Sequence, residues 1–180
     1  MKTIYFEKIQ KILRNKKRLE EELNIKITNR GKEIFIGGKA EDEYIAEKVI
    51  DALNMEFPLK VALLIKNEGF VLEILNIKDY TKRHDLKRIR ARIIGTGGKT
   101  LRTLCNLTKC FFEVKNNDVG IIGHEENIET AQEGILSIIK GTKHANVYAY
   151  LEKHQPEPIV DLGLKPMKKK RKRKLENKSN

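Results

Sequence analysis

An internal repeat sets the first limit on how this chain can fold. Ile36-Gly37 returns as Ile122-Gly123, Ile45 as Ala131, Val49 as Ile135 and Leu53 as Ile139, at an offset of roughly 86 positions. A chain of 180 residues that carries one unit twice builds two small cores rather than one large one. In the first copy, Glu33 to Ile36 reads as a short strand closed by Gly37-Gly38. Tyr44, Ile45, Val49, Ala52 and Leu53 then recur at helical spacing, predicting a helix from about Glu41 to Met55. Ile25 to Thr28 predicts a further strand, joined through Asn29-Arg30-Gly31, and Lys/Glu-rich helical segments fill Glu7 to Leu23.

The second copy keeps this order. Phe111 to Val114 and Gly120 to Ile122 read as strands around the Asn116-Asn117-Asp118 turn, and Ile128, Ala131, Ile135, Ile138 and Ile139 mark one face of a helix. Pro58 to Lys66 predicts a linking helix, Asn67-Glu68-Gly69 breaks it, and Phe70 to Leu75 opens the second unit as a strand. Each unit is expected to run strand, helix, helix, strand, strand, helix. That order belongs to the α+β class, with a three-stranded antiparallel sheet and its helices on one face. The divisions are 1–57, a linking helix at 58–69, 70–153, and a tail at 154–180. Pro156, Pro158 and Pro166 interrupt the tail, and Lys168 to Lys174 offers nothing to bury, so the tail is expected to be disordered without a partner.

Charge is unevenly spread. The net charge is +12. Lys165 to Asn180 holds nine Lys/Arg and one Glu, and Lys82 to Arg102 holds eight Lys/Arg and one Asp, which leaves the remainder mildly acidic. Such clustering favours a polyanion partner. No apolar run approaches bilayer-spanning length and the N-terminus has no signal-peptide pattern, so no membrane role is expected. Cys105 and Cys110 are too few for a disulfide framework and read as core thiols. The histidines form no metal-binding pattern, so no metal or other cofactor is expected.

The second positive cluster surrounds "RARIIGTGGKTLRTL", residues 91–105. Leu86, Ile89 and Ile93 mark the inner face of a helix entering Gly95–Gly98, and Leu101, Leu104, Cys105 and Thr108 that of a helix leaving it. A glycine turn at a helix N-terminus presents free N–H groups and positive dipole to an anion. The stretch is not a Walker A loop, because Ile93 stands where its first glycine belongs. Nor is it a dinucleotide fingerprint, because Thr100 stands at the last glycine position and a helix, not a strand, leads in. A helix, Gly-x-x-Gly, a helix and then strand, turn, strand, helix is the pattern of a type I KH module, whose loop clamps about four nucleotides of single-stranded nucleic acid. Gly95, Thr96, Gly97, Gly98, Lys99 and Thr100 form the candidate clamp, with Thr96 and Gly97 nearest the phosphates. Arg90 and Arg92 add charge. Ile93, Ile94, Leu101 and either Phe112 or Val114 are candidates for the groove floor or, equally, for the core. In the first unit the corresponding place falls within "IQKILRNKK", residues 9–17, which contains no glycine. That unit reads as a KH-like fold without its clamp.

Two KH units, only the second with Gly-x-x-Gly, resemble the archaeal and eukaryotic KH protein of small-ribosomal-subunit maturation, the partner of the Nob endonuclease. The stretches that match are "FVLEILNIKDYT", "LKRIRARIIGTGGKTLRTLCNLT", "VGIIG" and the closing "GTKHANVYAYLEK". The resemblance implies an RNA-binding assembly factor that holds the 3′ region of small-subunit ribosomal RNA in the pre-ribosome and works beside a Nob-type nuclease. It implies the cytoplasm in an archaeon and the nucleolus or nucleus in a eukaryote. The readings that compete with it are a KH protein of other single-stranded RNAs, messenger or exosome substrates among them, and a protein–protein adaptor. An enzyme is not expected: no paired carboxylates, activated nucleophile or metal cluster stands near the turn.

Overall fold

The structure, a computed structural model, describes residues 2–5 and 9–155. The basic tail, from residue 156 on, lies outside the described residues.

Two hairpins with two-residue turns organise the chain. Lys26–Arg30 (β2) and Glu33–Gly37 (β3) pair antiparallel, Arg30 opposite Glu33, around Gly31-Lys32. Phe111–Lys115 (β5) and Asp118–His124 (β6) pair likewise, Lys115 opposite Asp118, around Asn116-Asn117. Gly31 and Asn116 take the left-handed φ values of +63° and +54°, which glycine and asparagine accept most readily. Lys2–Tyr5 (β1) adds to the free side of β3, and Phe70–Asn76 (β4) to the free side of β6. Both sheets therefore have their last strand in the middle, in the orders β1-β3-β2 and β4-β6-β5.

A helix follows each central strand. Ala40–Asn54 (α2) opens on Glu41, Asp42 and Glu43, and Glu125–Lys140 (α6) on Glu125 and Glu126, so acidic side chains meet the positive helix ends. Val49 and Leu53 on α2, like Ile135 and Ile139 on α6, are buried. Tyr44 departs from the inward face expected of it. It is 59% exposed, with Lys48 Nζ 5.7 Å from its ring centroid.

The helices preceding the hairpins differ between the halves. The second half has Leu86–Ile94 (α4), a glycine turn and Lys99–Thr108 (α5). The first half has a single helix, Ile9–Leu23 (α1), where two were expected. The sequence gives the reason: between Ile9 and Leu23 stand good helix formers and no glycine to turn the backbone. Ile12, Leu19 and Leu23 bury one side of α1. The linking segment is a short helix, Leu59–Ala62 (α3), followed by a tight 3₁₀ turn at Leu63–Lys66. Its Ala62 and Ile65 are buried in the first core.

The two cores meet at the second sheet. Ile122 of β6 is buried in the first core, where Phe70 and Leu72 also pack. Phe57, 1% exposed, occupies the space above Gly120, where a Cβ would stand 2.7 Å from Phe57 Cε2 and 3.3 Å from Met55 Cε. Lys115 Nζ donates to the Asn54 carbonyl at 2.8 Å, and Lys11 Nζ to the Phe57 carbonyl at 3.0 Å. Glu113 is half-buried at this seam. Burial and, next, the Glu56 carboxylate raise its pKa above the usual carboxylate range.

Gly120→Ala is expected to destabilise the chain by about 1–3 kcal/mol, since a buried ring must move to admit the methyl group. Urea denaturation would measure it. Adding Phe57→Leu should recover part of the loss, and an unchanged midpoint for Gly120→Ala would refute this packing.

Candidate nucleic-acid interface

Helix α4 buries Ile89 and Ile93 and leaves Lys87, Arg88 and Ile94 outside. Ile93, at 0% exposure, belongs wholly to the core and cannot line a groove. The helix stops at Gly95, whose N–H donates to the Ala91 carbonyl at 2.8 Å while its backbone turns to φ +72°. One 3₁₀ turn, Thr96–Gly98, leads into α5.

The glycines of this turn serve two needs. A Cβ on Gly95 would lie 2.2 Å from Thr100 Oγ1 and 2.8 Å from Thr100 N, so the position is closed to any side chain. Thr100, a candidate ligand residue in the sequence, is instead buried beneath Gly95 at 7% exposure and supports the turn. Gly97 and Gly98 have left-handed φ values of +57° and +74°, and a Cβ on either would meet nothing within 4 Å. Their backbone faces open space. No side chain caps the N-terminus of α5; the Gly98 and Lys99 N–H groups donate to the Gly95 and Thr96 carbonyls within the turn, and the positive end of the helix dipole is directed at the same place. Thr96, Gly97 and Lys99 are exposed there.

Three arginines tie the turn to its surroundings. The Arg102 guanidinium donates to the Gly97 carbonyl, a role its sequence position does not disclose. Arg90 Nη1 donates to the Asn116 carbonyl at 2.8 Å and to Asn117 Oδ1 at 3.3 Å, bridging α4 to the β5–β6 turn. Arg92 Nη2 donates to the Thr142 carbonyl at 2.8 Å, and His144 Nε2 lies 3.0 Å from the Arg92 carbonyl. His144 opens the last helix, His144–Lys153 (α7), so the closing segment is fastened to the end of α4. Arg90 and Arg92 therefore carry structural bonds as well as charge.

Arg90 and Ile94 share one side of α4, and Leu101 and Cys105 one side of α5, by helical spacing. This side adjoins β5, against which α5 packs, and the β5–β6 turn, which Arg90 reaches. Ile94 is 36% exposed, Leu101 and Val114 are half-buried, and Phe112 is core. The accessible apolar floor is thus Ile94, Leu101 and Val114. Burial raises the pKa of both thiols, that of Cys110 to about 11. Among the described residues no group of His, Cys, Asp and Glu could hold a metal ion, and no helix is long and apolar enough to cross a membrane. What the turn offers is backbone open to close approach at Gly97 and Gly98, a positive helix end and positive charge beside an apolar strip. Those features suit a phosphate chain with its bases laid to one side.

Residues 71–156 match the family model of the second PNO1 KH domain, described as a eukaryotic type KH-domain, KH-domain type I. A KH domain-containing protein of Methanocaldococcus jannaschii is 29% identical over 153 residues, covering 78% of this chain and 65% of that protein. The pre-rRNA-processing protein PNO1 of Chaetomium thermophilum is 31% identical over 103 residues, covering 55% of this chain and 40% of that protein. This chain thus spans less than two thirds of the length of either relative. A chain in the crystal structure of an a/eIF2alpha–aDim2p–rRNA complex from Pyrococcus horikoshii is similar in fold. Its TM-score is 0.77 at 28% identity, covering 85% of this chain and 92% of that one.

Gly95→Ala is expected to cost more stability than Gly97→Ala. The second change meets only the left-handed backbone, worth about 1–2 kcal/mol, whereas the first must also displace Thr100. Thermal denaturation would rank the two, and equal losses would contradict the packing of Gly95 on Thr100. At pH 8, alkylation of Cys110 should be far slower in the native protein than in urea, because only the thiolate reacts.

Proposed function

We propose that this chain, which belongs through residues 71–156 to the KH-domain family of PNO1 and Dim2p, is an RNA-binding assembly factor of the small ribosomal subunit. It acts by binding rather than by catalysis. The observation that carries the reading is the unobstructed Gly97–Gly98 backbone at an uncapped helix start, set in a segment with seven excess positive charges. The phosphates of a single strand lie against Thr96, Gly97, Gly98 and Lys99, and its bases against Ile94, Leu101 and the edge of β5. The RNA is the 3′ region of small-subunit ribosomal RNA or its precursor. The names of the relatives support that choice, one being a pre-rRNA-processing protein and another part of an rRNA complex.

The units at 1–57 and 70–153 are two KH-like folds in tandem, joined by 58–69. The repeated strand order supports this division. The first unit, with α1 unbroken, braces the second and offers a protein surface, and a Nob-type nuclease on the pre-small subunit is the partner proposed for the assembled factor. The basic tail adds sequence-independent affinity for the same RNA. In an archaeal cell the site of action is the cytoplasm.

Fluorescence anisotropy at near-physiological salt tests the clamp, with RNA from the 3′ end of the small-subunit ribosomal RNA and a scrambled control. Thr96→Asp with Gly97→Asp places two carboxylates beside the phosphates and should weaken binding at least about tenfold, at roughly 1 kcal/mol or more per close charge pair. The preference over the scrambled control should vanish as well. Unchanged affinity and preference would show that the turn does not hold the RNA.

A further inference from the structure

We infer that the glycine turn is used from both sides: behind the clamp, α7 builds a second nucleotide subsite that takes the residue flanking the clamped segment of the same RNA strand. The inference rests on the reading of the turn as an RNA clamp.

The side of α4 and α5 away from β5 is only partly covered by α7 and carries several cationic side chains. There, by helical spacing, Arg88, Ala91 and Arg92 of α4 face Lys99 and Thr103 of α5. Between this side and α7 lies an open cleft of about 470 Å³ that includes Gly95 and Thr96 in its wall, in the size range of small-ligand sites. Its far wall is aromatic. His144 and Tyr148 stand one turn apart on α7, their ring centroids 6.1 Å apart at a tilt of 49°. Its near wall is cationic, from Arg88, Arg92 and Lys99. Ala91 leaves the floor clear of a long side chain.

Aromatic rings offer a face to any base, and guanidinium groups match phosphate oxygens. The aromatic wall is held in place before any ligand arrives. Val147 and Leu151 are 2% and 1% exposed beneath it. The Arg92–Thr142 and His144–Arg92 bonds fix the start of α7. A second cleft of about 560 Å³ shares Arg88 and Arg92 and adds Arg83, with Asp85 as its one carboxylate among three guanidiniums. The two clefts form a basic track leading away from the turn. Because Gly95 and Thr96 border both the clamp and the cleft, a strand leaving the clamp passes directly over the opening. That continuity favours a nucleotide of the bound strand over a free one.

The test compares a tetranucleotide with versions extended by two nucleotides at the 5′ or the 3′ end, binding to the intact protein at fixed salt. One extension should raise wild-type affinity on the order of tenfold, the usual worth of a stacked base. Tyr148→Leu and Arg88→Ala should each remove most of that gain while binding the tetranucleotide within about twofold of wild type. Tyr148→Phe, which keeps the ring, should retain the gain. If neither extension improves binding, or both variants keep the full gain, the subsite does not exist. Loss in Arg88→Ala alone would leave only diffuse charge and likewise overturn it. Retained tetranucleotide binding in the variants shows that they are folded and that the clamp stands. A wild-type protein that fails to bind the tetranucleotide would remove the clamp itself.

Discussion

Strand β6 is buried along its whole middle, from Val119 to Gly123, because both of its faces are covered. One face meets the helices of its own half and the other receives the first core, with Ile122 lodged there and Phe57 seated over Gly120. A one-residue slip of a strand covered on both sides would exchange its two side-chain sets between the cores, driving Val119 or Ile121 into the space Phe57 fills over Gly120. The strand therefore fixes β4 and β5 on either side, and through β5 it fixes the wall beside which α4 and α5 must lie. The hydrogen bonds from Arg90 to Asn116 and Asn117 are the last link in that chain. They join the helix entering the glycine turn to the hairpin that β6 completes.

On that frame the turn needs little material of its own. Gly95 closes onto Thr100, Arg102 holds the Gly97 carbonyl, and the space above Gly97 and Gly98 stays open to a foreign backbone. A site made mainly of backbone has an obvious limit, since it recognises a phosphate chain but not which bases it carries. Discrimination must come from the apolar strip of Ile94, Leu101 and Val114 and from whatever lies beyond the clamp. The first half shows the same frame without the turn. Its sheet repeats the strand order of the second, yet α1 runs unbroken for 15 residues and presents no gap for a foreign backbone.

Much of this was legible in the sequence because it is local. Strands bounded by glycine, helical spacing around Val49 and Ile135, and a glycine cluster between two amphipathic segments each depend on residues within a few positions of one another. The features that were not legible depend on distant partners. Arg90 bonds 26 residues away and Arg92 bonds 50 residues away, and no periodicity announces which carbonyl awaits a guanidinium. Thr100 lies beside exposed Lys99 in sequence, but helix rotation turns it inward, whereas the burial of Ile93 follows the inward face its spacing marks. Tyr44 fits the apolar spacing of α2 and is nonetheless exposed, since spacing marks a face without saying how wide a neighbour covers it. Two helices in the first half were expected by analogy with the second, and the missing glycine decided otherwise.

The central claim is that a single RNA strand is held at the Gly95–Gly98 turn and across the strip beside β5. A two-dimensional amide NMR titration of the intact protein with single-stranded RNA from the 3′ end of small-subunit ribosomal RNA tests it most directly. The account predicts that the strongest shifts fall on the amides of Thr96 to Lys99, with smaller ones at Ile94, Leu101 and β5, while α1 and α2 stay unmoved. Shifts concentrated on α1 and α2, with the turn silent, would contradict it and place the RNA on the first unit instead.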